Sequence, residues 1–496
     1  MRFDAYVLAA SIFNATIGRI TPRSNDATSR SAFKTCGRIQ NALGADVVQL
    51  SGEEYSASAT GAWNLFNSVS RPTCIVFPNN AKDVQVAMGA IFQDKIHYAV
   101  QSGGHSAMNG WNTVQDGILF YFSHMKNVSY DAVKDTITLQ PGIHWGEALT
   151  QLEPLGIAPM GGRFGDVGTG LLLGGGLNYL SGEHGFSSDA YVELDVVLVT
   201  GKLVTATATN EYSDLFWALK GGANRFGIVT RYEVQAIHTG TNAEKNWFGG
   251  FIMYPNSSAD ALLHATEKFV RTVSDPRASL LMVFSYNGTE PTPIHLVSLF
   301  YHGSSLPEPI FGDFLSIPAA FTQLSPVSYV EANSLLGPGA DRGFGQLFGA
   351  SAFNNSVGAE TYFTSFREFS DYTFKIKDTL SSNVLAFTPI LDSQILAGRS
   401  RGGNPMDPPR GNYVAIQIHT SFANGLTSLP PSVADARRTL FERMPKSPKR
   451  PFYINECDAS QNVFATYGRY KDLKRTYAKY DPTRFNIRFT DGPIGL

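Results

Sequence analysis

Cysteine is scarce. The 496 residues hold three, Cys36, Cys74 and Cys457, with no C-x-x-C pair and no His/Cys cluster at ligand spacing. A bound metal is therefore not expected. An odd count allows one disulfide and one free thiol. Cys36 and Cys74 flank the first helical region and are the expected pair in an oxidising compartment. Cys457, in the strand-like stretch Phe452-Tyr-Ile-Asn-Glu-Cys, reads as a buried, inert thiol. Surplus charge of one sign is lacking too: 40 Lys and Arg face 42 Asp and Glu, a formal net charge of −2. With no basic excess to neutralise phosphates, nucleic acid is not an expected partner. No segment has the apolar length of a membrane helix, so no membrane partner is expected. Repeats and low-complexity tracts are absent.

The N-terminus carries Arg2, an apolar stretch from Ala5 to Phe13, and small residues at Ala15 and Gly18. That is the shape of a signal peptide over 1–20, although Asp4 suits its head poorly and a frayed cytosolic terminus is the alternative. Asn127, Asn256, Asn287 and Asn354 each begin an Asn-x-Ser/Thr triplet, the acceptor of N-glycosylation, which fits a secreted chain. Residues 20–35 are polar and read as an unstructured lead-in.

What is abundant is glycine, 47 residues gathered in a few runs. Such runs mark places where the backbone itself approaches something closely. Around them, short strands and helices alternate to about residue 237: strands at Thr73–Phe77, His97–Gln101, Gly117–Phe122, Ile137–Leu139 and Gly227–Val234, helices after Asn80, near Trp145–Leu155 and at Glu211–Leu219, and a hairpin over Leu194–Ala206 turning at Thr200-Gly201. Beyond it, strands at Trp247–Met253, Leu280–Tyr286, Ile294–Tyr301 and Tyr413–Phe422, with helices near 258–273 and 306–316, describe an antiparallel sheet with helices to one side. The expected fold class is α+β. The expected division is a first domain at 30–237, a second at 238–444, and a segment at 445–496 that returns to the first.

Three runs carry the chemistry. Ser102-Gly103-Gly104-His105-Ser106 follows a strand, and its paired glycines let successive N–H groups turn inward as a nest for a diphosphate. The spacing is not G-x-G-x-x-G, so a Rossmann site is not indicated. Val167-Gly168-Thr169-Gly170, running on to Gly174-Gly175-Gly176, suggests backbone laid flat against a planar ligand. Gly221-Gly-Ala-Asn224-Arg-Phe-Gly227-Ile228-Val229 leads from glycines into a strand. Any one of them alone is ordinary turn chemistry. Three in this order are not.

Taken with Arg71-Pro-Thr-Cys-Ile-Val-Phe-Pro, Tyr453-Ile-Asn455-Glu-Cys-Asp and Tyr480-Asp-Pro, these runs resemble the FAD-linked oxidoreductases of the vanillyl-alcohol oxidase superfamily. More narrowly, they resemble its berberine-bridge-enzyme-like branch, as found in fungal secondary metabolism. The resemblance implies a two-part, PCMH-type FAD-binding domain, a substrate domain on an antiparallel sheet flanked by helices, and FAD bonded covalently through His105. Many members add a second bond from a cysteine; Phe164 stands there, implying a single link and a site unlike those for bulky sugars. Val167 is the small apolar side chain of members that admit dioxygen, or else a packing valine. The branch's Tyr-Gly-x-Asn-Tyr is shortened here to Tyr467-Gly-Arg-Tyr470.

Catalytic candidates come from two places. In Tyr413-Val-Ala-Ile-Gln-Ile-His-Thr-Ser-Phe, alternate residues share one polar face. Tyr413 or His419 there could accept a proton, unless that face belongs to an edge strand in water. Tyr453 and Glu456 are the others, a buried carboxylate serving as acid or base, unless Glu456 only pairs with a cation of the C-terminal helix. The expected activity is that of a monomeric oxidase passing a hydride from a small or medium secondary metabolite to the flavin, with dioxygen as reoxidant. A carbohydrate oxidase, a non-redox cyclase or a carrier with a vestigial flavin are the alternatives.

Overall fold

The computed structural model describes residues 26–288, 293–337 and 339–496; the expected signal peptide lies outside them. The first element is the helix Asp26–Leu43, where the polar composition of 20–35 suggested no structure. Ala32, Cys36 and Ile39 recur at helical spacing and are buried against Val84 and Met88. A one-sided helix needs only such a stripe, and its other positions are free to be polar. Cys36 is disulfide-bonded to Cys74, the pairing expected.

Strands Cys74–Val76, Ile118–Tyr121 and Tyr98–Gln101 lie parallel, with Val48–Gln49 antiparallel on the outer edge. The helix Ala81–Asp94 makes the crossover between the first and last of these, capped by Asn80, whose side chain accepts from the N–H groups of Lys82 and Asp83. A five-stranded antiparallel sheet follows, in the order Val128–Asp131, Thr136–Leu139, Ile228–Gln235, Tyr191–Val197, Leu203–Thr207. Gly201, at φ +83°, closes the hairpin between the last two.

The second half is one seven-stranded antiparallel sheet: Phe321–Val327, Trp247–Pro255, Ile294–Tyr301, Ala278–Asn287, Leu380–Ile390, Tyr413–Phe422, Gln346–Asn354. The helices Ala259–Thr272, Ala359–Ile376 and Pro431–Arg443 cover one face, where Phe269, Tyr362 and Leu440 pack on Phe284, Phe387 and Ile416. Tyr413–Phe422 is not an edge strand with a wet face: it is hydrogen-bonded on both sides, to Leu380–Ile390 and to Gln346–Asn354. Its polar side faces an internal cavity, which Gln417, His419 and Ser421 line.

The last residues fold back on the glycine run at 221–229. Buried Arg225 donates to the carbonyls of Asn486, Thr490 and Pro493, each at 2.9 Å, and Asn486 Nδ2 donates to the Arg225 carbonyl at 2.9 Å. The stretch around Cys457 is a 3₁₀ turn, Ile454–Glu456, and not a strand. Its carbonyls and amides close on one another locally, which leaves no ladder for a neighbour.

Candidate active site

Between the uncovered face of the large sheet and the glycine runs lies a cavity of about 680 Å³. Its glycine wall forms by backbone contact. A methyl placed on Gly103 would lie 2.7 Å from the Gly168 nitrogen, and one on Gly168 would lie 2.5 Å from the Gly103 nitrogen. Only glycine at both positions lets the first two runs meet. Ser102 and Thr169 fasten them by donating to the same carbonyl, that of Pro141, at 2.5 and 2.7 Å.

Ser102 to Ser106, Val167 to Gly170, Gly174, Asn224, Gly227 to Val229, and Asn455 all line this cavity. Gly175 and Gly176 do not. They have positive φ and close on Met406 and Ser187, so they seat the run on its neighbours. Asn455 donates to the Leu171 carbonyl at 2.8 Å and thereby holds the second run from the other side.

His105 stands in the wall with its ring stacked on Trp63, 4.1 Å between centroids and 14° between planes. Its Nε2 is 2.9 Å from the Gly339 carbonyl. A carbonyl only accepts, so Nε2 carries the proton and Nδ1 keeps its lone pair. Burial pulls the imidazole below its ordinary pKa, with the Gly339 hydrogen bond and Asp166 partly opposing. Arg342, on the same loop as Gly339, pairs with Asp166 at 3.0 Å and fixes that loop in place.

Of the four catalytic candidates, the cavity gathers three. His419 borders it, with Nε2 2.7 Å from Gln346 Oε1. Burial, then neighbouring His105, bring its pKa down to about 4, so the ring is neutral with Nδ1 unprotonated. Tyr453 lines the cavity and accepts from Asn455 Nδ2 at 2.9 Å. Glu456 lines it too, and its partner is Arg163 at 3.2 Å, not a cation of the C-terminal helix. Burial raises the Glu456 carboxyl and Arg163 only partly opposes. Tyr413 does not reach the cavity; it is buried at the end of its strand, its ring beneath the Arg450 guanidinium at 5.0 Å.

The wall fits FAD. Asn224 Oδ1 and Thr490 Oγ1 are buried at its edge with no hydrogen-bond partner among the described residues, as expected of groups that meet a polar ligand. A methyl on Gly170 would meet nothing within 4 Å, which is open space for a ligand beside the backbone. At the other end Leu281, Val283, Leu296, Val384 and Ala386 of the sheet make a largely apolar chamber, which Ser382, Gln417 and Ser421 also line. A long cleft with a polar, glycine-lined half and an apolar half is what a nucleotide cofactor working on an apolar substrate requires.

The fold and this cleft define an FAD-dependent oxidoreductase. Residues 72–207 match the FAD binding domain family. An FAD-linked oxidoreductase of Arthroderma benhamiae is 30% identical over 498 residues, 96% of this chain and 97% of that protein. The FAD-dependent monooxygenase prx3 of Penicillium roqueforti is 31% identical over 371 residues, 70% of this chain and 69% of the relative. Among solved structures, glucooligosaccharide oxidase from Acremonium strictum superposes with a TM-score of 0.74 at 19% identity, covering 92% of this chain and all of that one. Berberine bridge enzyme from Eschscholzia californica superposes with a TM-score of 0.74 at 15% identity, covering 93% and 99%. The chain belongs to the FAD-linked oxidoreductases, and it shares its fold with glucooligosaccharide oxidase and berberine bridge enzyme.

Trp63, Arg163 and Gln346 were not singled out from sequence, yet all three border the cavity. Trp63 and Gln346 sit outside any glycine run, and only the tertiary fold brings them to His105 and His419. Arg163 carried a faint signal, a lone cation amid Gly161-Gly162 and Gly165.

Proposed function

We propose that this protein is an oxidase that removes a hydride from an apolar secondary metabolite of small to medium size, with FAD bonded to His105 and dioxygen as final acceptor. The observation that carries this reading is His105: it lines the cleft beside the glycine runs, and its Nε2–H is engaged by the Gly339 carbonyl, which leaves Nδ1 as the unprotonated nitrogen. That nitrogen is available to bond a ring methyl. A bound flavin supplies the two-electron acceptor. His419 is neutral, with its Nε2–H given to Gln346, and takes the substrate proton at Nδ1. Leu281, Val283 and Val384 exclude water from the reacting end.

Monooxygenation is the second reading, because several relatives, prx3 among them, are called FAD-dependent monooxygenases. An anaerobic flavin-bleaching screen against alcohols, phenols and polyketide or alkaloid intermediates tests the proposal. An oxidase bleaches anaerobically and releases hydrogen peroxide in air; a monooxygenase incorporates ¹⁸O from ¹⁸O₂; a cyclase turns over with the flavin still yellow. Division near residue 237, with 445–496 returning to the first domain, is the arrangement we assign. The Cys36–Cys74 disulfide supports secretion, and no described helix is long and apolar enough to cross a membrane.

A further inference from the structure

The apolar chamber contains one ion pair that the chemistry above leaves idle. Arg163 and Glu456 both line the cavity, with side chains 11% and 12% exposed. Their contact is single and long, Nη2 to Oε1 at 3.2 Å, where a charge-assisted hydrogen bond ordinarily closes to ~2.7–2.9 Å. The guanidinium's other contact is Nη1 to Thr388 Oγ1 at 3.4 Å. A guanidinium has five N–H donors. Among the described residues, Arg163 uses two of them, both loosely, and the second oxygen of Glu456 has no partner. Removing such a cation from water is costly unless its remaining donors are satisfied. Arg163 lines the open cavity.

The sheet measures how far this pair lies from His419. Thr388 is four residues along its strand from Val384, and Val384 is directly opposite His419. At ~3.3 Å per residue the two rows are about 13 Å apart. Between them lies Ala386, paired on one side with Gln417 and on the other with Val283, which is paired in turn with Leu296. The floor thus runs from a neutral base, across a row of Ala386, Val283 and Leu296 with Gln417 as its one polar member, to a guanidinium with donors to spare.

We propose that Arg163 anchors an acceptor oxygen, a carboxylate or carbonyl, at the end of an otherwise apolar substrate, and that Glu456 holds the guanidinium in position. This rests on the reading that the chamber takes the substrate, but not on the reaction performed there. Its substrate class is therefore narrower than apolar metabolites at large: an apolar body with an oxygen acceptor at the end remote from the oxidised carbon.

The test is isothermal titration of the holoprotein with octanoate, octanol and octylamine, one chain length carrying three end groups. Octanoate should bind at least tenfold tighter than octanol, and octylamine weakest. Arg163→Met should cut octanoate affinity at least tenfold and leave octanol unchanged, the latter showing that the chamber is intact. Arg163→Lys should lose several-fold, because an ammonium lacks the fork. Glu456→Gln should tighten octanoate by freeing the guanidinium. Octanoate binding indifferent to Arg163→Met overturns the proposal, as does tightest binding of octylamine with loss on Glu456→Gln, or no binding of any of the three. If neither Arg163 variant retains its flavin colour, the order among the three ligands on the wild-type protein decides. None of these outcomes depends on turnover, so a failed oxidase assignment and a failed anchor remain separate results.

Discussion

Asn64 grips Gln346 at both of its backbone groups: Oδ1 accepts from the Gln346 N–H at 2.8 Å while Nδ2 donates to the Gln346 carbonyl at 2.9 Å. The same Nδ2 donates to the Ala107 carbonyl at 3.1 Å, two residues beyond His105. One fully buried amide thus sets the His105 turn in register with the sheet strand that carries the partner of His419. Alanine at 64 would strand these three backbone groups and the Phe66 N–H, which also donates to Oδ1, each costing ~1–3 kcal/mol when left unpaired. Asn64→Ala is expected to destabilise the protein by about 3–5 kcal/mol and to lower the fraction of acid-stable flavin in whatever remains folded. Urea midpoints and flavin absorbance of the acid precipitate measure the two effects. A stability loss without a change in attachment limits Asn64 to packing.

Attachment through His105 alone makes a second, sharper expectation. Denatured wild-type protein should stay yellow and His105→Ala should bleach on precipitation. No cysteinyl flavin should appear in peptide mass spectra. Phe164, not a thiol, lines the cavity, Cys36 and Cys74 are bonded to each other, and Cys457 is wholly buried with its thiol pushed up by burial. A flavinylated cysteine peptide would contradict this directly.

How far the sequence reached depends on the range of the contacts involved. The Tyr413–Phe422 strand and the Ile294–Tyr301 strand were legible to the residue, because alternation and length are local properties. The strands Gln346–Asn354 and Leu380–Ile390, and the helix Ala359–Ile376, were missed. Gln346–Asn354 is buried on both faces, and Leu380–Ile390 runs from Leu380 into Ser-Ser-Asn and carries Pro389, so in neither do polar and apolar residues alternate. The glycine runs announced the cofactor wall because close backbone approach admits one residue type only. Tyr413 misled, since sharing a face with His419 does not bring a residue six places away to the same end of a cavity. The Arg163–Glu456 pair, 293 residues apart, left no local trace that its partners belonged together.

Two buried histidines contribute to the acid limb of stability. His295, 1% exposed, and His419 both have pKa values lowered to about 4 by burial, against ~6.5 in an unfolded chain. Between these values the unfolded state binds more protons, so stability rises with pH there and is lost as pH falls from about 6.5 to about 4. The effect for His295 alone is on the order of 3 kcal/mol. Glu456 and Asp189, raised by burial, act in the opposite sense and flatten the curve. Urea midpoints should fall across that window, and His295→Gln should reduce the slope by roughly one proton. Midpoints level from pH 6.5 to 4 would mean that these imidazoles are not buried neutral.

Val167 makes the last prediction, on dioxygen. It lines the cavity beside Gly168, at the place where the second glycine run meets the first. Its backbone is tied on both sides: its N–H donates to the Phe164 carbonyl at 3.3 Å, and its carbonyl accepts from the Trp145 N–H at 3.0 Å. A larger side chain therefore cannot be relieved by a backbone shift and must fill cavity space. If that space is where dioxygen approaches the flavin, Val167→Leu should slow reoxidation at least tenfold after anaerobic reduction with dithionite. Reduction needs no such access and should keep its rate. General overpacking costs ~1–3 kcal/mol and disturbs both half-reactions together. Stopped-flow traces, read beside the urea midpoint, separate the cases. Reoxidation at the wild-type rate, or equal slowing of both steps, would make Val167 a packing residue and withdraw its support from the oxidase reading.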